Sequence, residues 1–341
     1  MALIRDARGP QAAEALADAV QRLCAGRLVA MPTETVYGLA ADADRPEAVA
    51  RIFAAKGRPS DHPLIVHIAH ATSTERMASL THYAAGVPPF AQRLMDAFWP
   101  GPLTLILPRR AGVAESAAGG QASIGLRCPA HPVAQALLAA CRRAGILGLA
   151  APSANRFGRV SPTQAAHVAA ELGTLSDTEL LILDGGACPV GIESTIIDCT
   201  RDAPVLLRPG MLEKAALERI AGVPLADRDA HAPRAPGTLA SHYAPEAEVR
   251  LMEASELQTA LDLLGQQSRG LVVYHRSPLR IVNPHVRLCR MPDSAETAAR
   301  ELFATLRSLD DGTTDRIWVE RPPADPAWDG IRDRLQRAAA R

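Results

Sequence analysis

Lysine is almost missing from this chain. Of 37 basic residues among 341, only Lys56 and Lys214 are lysines; the rest are arginines. A compact ammonium does a different job from a planar guanidinium fork, so a lysine at 56 stands out. Aromatic residues make up only 4%, which leaves Leu, Val, Ile and Ala to fill the core. The formal net charge is +0, without the basic surplus that tight nucleic-acid binding usually needs. Six scattered cysteines never form a Cys-x-x-Cys pair, which argues against a zinc ribbon, a thioredoxin motif or a disulfide scaffold. No apolar run approaches the ~20 residues of a membrane span, and the N-terminus carries no signal-peptide core. A cytoplasmic location, with free thiols in a reducing compartment, is the expectation.

What is present is an ordinary globular composition, 48% hydrophobic and 22% charged, at a length that suggests two domains. Apolar spacing predicts helices over 11–24, 46–55, 72–80, 88–98, 131–143, 162–172 (with Ser161 as N-cap) and 213–220. Short apolar runs predict strands over 27–30, 64–68, 103–107, 122–127, 147–150, 180–183, 194–198 and 205–207. The small and polar stretch Gly112–Gly120 reads as a surface loop. Alanine, proline and charge dominate 224–245, a linker long enough to be functional or disordered. Strands alternating with helices over 248–339 predict a small α/β domain with a mostly parallel sheet. The expected boundaries are a catalytic domain at 1–222, a linker at 223–245 and a C-terminal domain at 246–341.

Chemistry gathers in short turns after strands, where α/β proteins build ligand sites. Pro32-Thr-Glu-Thr-Val-Tyr-Gly38 packs two hydroxyls, a carboxylate and a phenol; by itself it reads first as a polar loop with an N-cap. Lys56-Gly-Arg58-Pro59 sets two cations at a helix end. They would complement the helix dipole by ~0.3–1 kcal/mol or, stiffened by Pro59 and Pro63, clamp phosphates. His67 interrupts an apolar run and reads first as a satisfied core histidine. Arg127 ends a strand; arginine is rarely buried without a partner, and a guanidinium there can grip a carboxylate. Ala151-Pro-Ser-Ala-Asn155, Gly191-Ile-Glu-Ser-Thr195 and Leu206-Leu-Arg208-Pro-Gly210 are further polar turns. Gly186–Gly191 has P-loop glycine spacing but lacks the following Lys-Ser/Thr, and no nucleophile elbow, zinc helix or dinucleotide fingerprint appears.

Taken together, these blocks resemble the YrdC-like threonylcarbamoyl-AMP synthases. The resemblance rests on Pro32–Leu39, Lys56-x-Arg-Pro59, Pro63–His67, Trp99-Pro-Gly-Pro-Leu-Thr104, Arg127-x-Pro129, Ala151–Asn155, Ser161-Pro-Thr163, Glu193-Ser-Thr-Ile196 and Leu207–Gly210. Pro236–Pro245 and the domain after it resemble the family's long, two-domain form. The resemblance implies a YrdC-like twisted α/β sheet with a concave active site, a linker crossing it, and a smaller Rossmann-like α/β domain. It implies a nucleotidyltransferase that makes threonylcarbamoyl-adenylate from L-threonine, bicarbonate and ATP, releasing pyrophosphate. The product would pass to a tRNA threonylcarbamoyl transferase complex that modifies the adenosine beside the anticodon; neutral charge disfavours direct tRNA binding.

By resemblance, Thr35, His67, Arg127, Ser153 and Ser194 would hold threonine. Lys56, Arg58, His62, Ser123, Ala151, Asn155, Ser161, Arg208 and Tyr243 would hold ATP, and Lys56, Arg58 and Arg127 would carry the catalytic charge. Mg2+ would bind mainly through ATP phosphates rather than in a protein cage. His62 stands where the family commonly has Asn, so an imidazole takes over that contact. Two rival readings are a carbamoyl-transfer domain of the hydrogenase-maturation kind, which the missing Cys-rich segments disfavour, and a non-enzymatic RNA-binding module, which few aromatics disfavour.

Overall fold

A computed structural model describes residues 2–70 and 73–340. The chain divides into two compact units: the first runs to 157 and resumes over 161–238, and the second holds 158–160 and everything from 239.

Among the described residues, eleven strands form the first unit's sheet. They are β1 (Leu3–Asp6), β2 (Leu28–Met31), β3 (Gly38–Asp42), β4 (Ile65–His67), β5 (Leu103–Pro108), β6 (Ser123–Arg127), β7 (Leu149–Ala150), β8 (Leu180–Asp184), β9 (Thr195–Asp198), β10 (Val205–Arg208) and β11 (Ala226–Asp227). Their order is β1-β8-β2-β3-β7-β4-β6-β5-β9-β10-β11, in mixed directions. Alternation along a strand sends successive side chains to opposite faces. Leu28, Ala30, Leu39 and Ala41 accordingly enter one core, while Val29, Met31 and Ala40 enter another. Helices α1 (Ala12–Cys24), α2 (Pro46–Lys56), α3 (Ser73–Tyr83), α4 (Pro89–Phe98), α5 (Pro132–Arg143), α6 (Ala165–Leu172) and α7 (Lys214–Ala221) complete the unit. Val49, Ile52 and Leu94 join the first core, and Ala19, Leu23 and Leu137 the second. Helix α2 is bounded in the usual way, with Pro46 in its first turn and Gly57 closing it at φ 62°. That stop puts Lys56 on the last turn and Arg58 just beyond it.

Most expected elements are present within two or three residues of the expected bounds, with informative exceptions. The expected start at Thr72 lies outside the described residues. The helix expected from Pro162 begins at Ala165, with Gln164 at its cap position. Ser161 does not cap it; its hydroxyl donates to Glu193 instead. Gly112–Gly120 is not a free surface loop. Ala117 and Ala118 are buried, and Ala117 accepts a hydrogen bond from Leu64 N at 2.7 Å. A Cβ on Gly119 would come within 2.7 Å of the Asp61 carbonyl, so glycine is needed for this close approach. Strands β1, β3 and β11 were not anticipated.

The second unit has strands β12 (Glu248–Met252), β13 (Leu271–His275), β14 (Arg287–Arg290) and β15 (Arg316–Glu320). They lie in the order β12-β15-β13-β14, with every pairing parallel. Helix α8 (Ala254–Asp262) follows β12, α9 (Ala295–Leu309) follows β14 and α10 (Asp329–Ala338) follows β15, while β13 runs to β14 without a helix between them. Ser294 caps α9 by accepting from Thr297 N at 3.2 Å, and Glu253 and Glu256 form a reciprocal capping box on α8.

Candidate active site

Strand register builds the site. Pairing aligns His67 with Arg127, Arg127 with Thr104, Thr104 with Ile196 and Ile196 with Arg208. Directly paired residues share a face of the sheet. One row therefore carries an imidazole, a guanidinium, a hydroxyl and a second guanidinium. Two residues along, Ile65, Gly125 and Ile106 align as an apolar row on the same face. Ile65 and Ile106 join Ile196, Val205, Leu207 and Ala235 in a separate small core.

Hydrogen bonds tie the polar row to the Pro32–Tyr37 loop. Arg127, 4% exposed, donates from Nη1 to Thr35 Oγ1 at 2.8 Å and from Nη2 to Glu34 Oε1 at 2.6 Å. Its Nε donates to the Gly101 carbonyl at 3.4 Å. Glu34, also buried, accepts from Ala130 N at 3.0 Å through its second carboxylate oxygen. Thr33 and Thr35 share a hydroxyl contact of 2.9 Å, and Thr33 accepts from the Val36 N–H, which fixes the loop. Farther along the row, Thr104 and Ser194 hydroxyls meet at 2.8 Å. Arg208 donates to the Ser194 carbonyl at 2.9 Å and to its hydroxyl at 3.2 Å. His67 is buried beside Arg127, and its Nδ1 has no hydrogen-bond partner among the described residues. Burial, and then the Arg127 charge, push its pKa down to about 3, so this imidazole is neutral.

A second loop faces the first. Leu39 N donates to Pro152 O at 2.7 Å, and Ala154 N donates to Tyr37 O at 2.8 Å, stitching Ala151–Asn155 to the Pro32–Tyr37 turn. Lys56, 3% exposed, spans the back of this loop and donates from Nζ to the carbonyls of Ser153 and Asn155. Burial, helped by the Arg58 charge, holds its pKa well below the usual lysine range. Arg58 donates to the Pro63 carbonyl at 2.9 Å and lies over the Phe157 ring at 5.6 Å. His62 meets the same ring edge-on at 5.4 Å, and burial together with the Arg58 charge lowers its pKa.

A strap lies over the apolar row. Arg234 forms an ion pair with Asp61, its N–H donates to Gln121 at 2.9 Å, and Arg208 donates to the Pro236 carbonyl at 2.9 Å. Between strap and floor remains a cavity of about 10 Å³, lined by Ile106, Ser123 and Gly125 among others, with room for about one water.

This geometry has close relatives. Residues 21–210 match the family described as telomere recombination, and residues 209–340 match the one described as threonylcarbamoyl-AMP synthase, C-terminal domain. The threonylcarbamoyl-AMP synthase of Bacillus subtilis is 38% identical over 334 residues, covering 95% of this chain and 92% of its own. The chain belongs to the threonylcarbamoyl-AMP synthase family. The synthase of Pyrococcus abyssi is 38% identical over 327 residues, 92% of this chain and 91% of that one. A crystal structure of P. abyssi Sua5 complexed with L-threonine matches at a TM-score of 0.86 and 34% identity, covering 99% of this chain and 97% of that one.

Within this member of the synthase family, register and hydrogen bonds bring Thr35, His67, Arg127, Ser194 and Arg208 into one network. Ser123 stands on β6 two residues before Gly125. Ser153, Ala151 and Asn155 form the facing loop, whose Ala151 N–H is already engaged by the Ile65 carbonyl at 2.9 Å. Ser161 bonds Glu193, and Asn155 donates to the Arg156 carbonyl at 2.7 Å. Tyr243 belongs to the second unit. There its ring is 1% exposed, packs 5.5 Å from Phe303 and lies under Arg334. Glu34, Thr104 and Glu193 are among the buried polar residues to which the sequence assigns no role. All three sit inside quoted motifs, and their burial is what distinguishes them from turn formers.

Proposed function

We propose that the concave face of the first unit is where this synthase joins L-threonine, bicarbonate and ATP into threonylcarbamoyl-AMP. The reading rests on one observation above all: the aligned row of His67, Arg127, Thr104 and Arg208 beside an apolar floor. The amine of threonine attacks CO2, releasing a proton to solvent, or attacks bicarbonate with loss of water, to give an N-carboxylate. One of its oxygens then attacks the α-phosphorus of ATP, the new P–O bond forms, and pyrophosphate leaves. Both partners are anions, so the protein's task is to hold them together and offset their repulsion.

In this reading Arg127 takes the threonine carboxylate, with the Thr35, Ser153 and Ser194 hydroxyls around it. A neutral His67 keeps a ring-nitrogen lone pair that can accept a hydrogen bond from the amine, which a protonated imidazole would lack. Arg58 and Arg208 offset the phosphate charge, assisted by His62, Ser123, Ser161 and Asn155. Lys56 contributes by fixing the Ser153–Asn155 turn rather than by reaching a phosphate. The base lies over Gly125, within reach of the Ala151 carbonyl, and residues 232–238 must move to admit it. ATP enters with magnesium already on its phosphates; among the described residues no group of three His, Cys, Asp or Glu is placed to cage the ion. The reaction is assigned to the cytoplasm, and its product to a tRNA threonylcarbamoyl transferase. Among the described residues no helix is long and apolar enough to cross a membrane.

Mass spectrometry of the adenylate formed from ATP, threonine and bicarbonate tests the reading, run beside a pyrophosphate assay and RNA filter binding. The expected result is pyrophosphate that requires both threonine and bicarbonate. RNA binding without it would overturn the assignment.

A further inference from the structure

Arg127 has five N–H groups, and three are engaged by Gly101, Thr35 and Glu34. Among the described residues one hydrogen on each terminal nitrogen has no partner, and two donors are the number a carboxylate needs for a two-point grip. That grip is useful only if the guanidinium plane is held still, because an arginine side chain otherwise rotates freely about its long stem.

Glu34 supplies the restraint. One carboxylate oxygen holds Arg127 Nη2 at 2.6 Å, and the other is fixed by the Ala130 N–H at 3.0 Å. Its own backbone carbonyl accepts from Val190 N at 2.8 Å. The anchor is thus tied to two separate segments of backbone, at Ala130 and Val190, and both members of the ion pair are buried. We propose that Glu34 is a positioning residue for threonine recognition, setting the plane in which Arg127 presents its two remaining donors to the substrate carboxylate. This inference rests on the assignment of Arg127 to that carboxylate.

The substitution Glu34→Gln probes it cleanly. Both partners of the Glu34 side chain are donors, and only one end of an amide accepts, so neither orientation of glutamine satisfies both. The threonine KM is expected to rise about ten-fold, with the ATP KM within about two-fold of wild type. L-threonine amide, which lacks the carboxylate, serves as a competitive inhibitor, and its Ki should change by less than about two-fold. Equal losses for threonine and its amide would make Glu34 merely structural and overturn the proposal, as would an unchanged threonine KM. If Glu34→Gln does not fold by thermal melting, Glu34→Asp carries the same test, since its shorter arm cannot span both donors. Arg127→Ala run in parallel separates the two ideas. An unaltered threonine KM in that variant removes the carboxylate assignment itself, whereas an impaired Arg127→Ala with a normal Glu34→Gln removes only the present inference.

Discussion

Two rows of side chains lie two residues apart on one face of the same sheet, and they are opposites. His67, Arg127, Thr104 and Arg208 are polar and linked to loops; Ile65, Gly125 and Ile106 are apolar and lie under a strap. The strands that carry them read alike, as short apolar runs. The difference comes from where each strand stops. β4 and β6 end on His67 and Arg127, while β5 runs antiparallel to β6 and begins at the same level. A zwitterion and a planar base need floors of these two kinds, and mixed strand direction supplies both within about 7 Å.

The sharpest way to break the contrast is Arg127→Ala. It removes the central charge of the polar row and leaves Glu34 buried without a counter-charge. Threonine-dependent pyrophosphate release is expected to fall about a thousand-fold. Stability should drop by about 3–5 kcal/mol in urea unfolding. Wild-type turnover in this variant would erase the distinction between the rows.

Next in size is the acid response of His67. Its ordinary pKa is 6.5, and burial, then Arg127, take the folded value to about 3. Between those values the unfolded chain binds a proton that the folded chain refuses, so stability falls as pH falls below 6.5. The loss from this residue reaches about 2 kcal/mol at pH 5. Urea unfolding at pH 7.5 and pH 5.0 should show a gap smaller by that amount in His67→Asn. An identical gap in both proteins would mean that this imidazole is not held neutral.

Gly125→Ala probes the apolar row. The added Cβ would sit 3.2 Å from Ile106 Cδ1, 3.5 Å from Ile65 Cγ1 and 3.6 Å from Thr104 Cγ2. The neighbours must yield slightly, at about 1 kcal/mol. Steady-state kinetics should show an ATP KM raised about five-fold with the threonine KM nearly unchanged. A larger effect on threonine would reverse the assignment of the two floors.

The smallest effect belongs to the strap. The Arg234–Asp61 ion pair is exposed, so solvent and salt screen it and it contributes little. Arg234→Ala should therefore lower the ATP KM by no more than about three-fold. A rise in KM would show that the strap helps to hold the nucleotide rather than to cover its place.

How much of this was legible in sequence follows from how local each signal is. His67 and Arg127 close apolar runs, and a polar group at such a place is visible. Thr104 is the second residue of its strand and looks like any β-branched interior residue. Only pairing brings it beside Arg127, and pairing is not written in the local sequence. Glu34 reads as a turn former because its partner lies 93 residues on. Ser161 sits at a plausible helix start, yet its hydroxyl donates to a buried glutamate instead of accepting from a helix N–H. Amphipathic helices such as α5, expected over 131–143 and found over Pro132–Arg143, declare themselves because their period repeats several times. Strand β3, Gly-Leu-Ala-Ala-Asp, has too few residues and no β-branched side chain to declare itself.

The scarcity of lysine turns the protein into its own clock. An amine-reactive acylating reagent meets two side-chain targets. Lys214 is accessible and paired with Asp227 at 3.0 Å, while Lys56 is sealed behind the Ser153–Asn155 turn. Lys214 should acylate at the rate of an open amine, and Lys56 only when that turn lifts away. The ratio of the two labelled peptides then reads how often the wall of the site opens, with no reporter added to the chain.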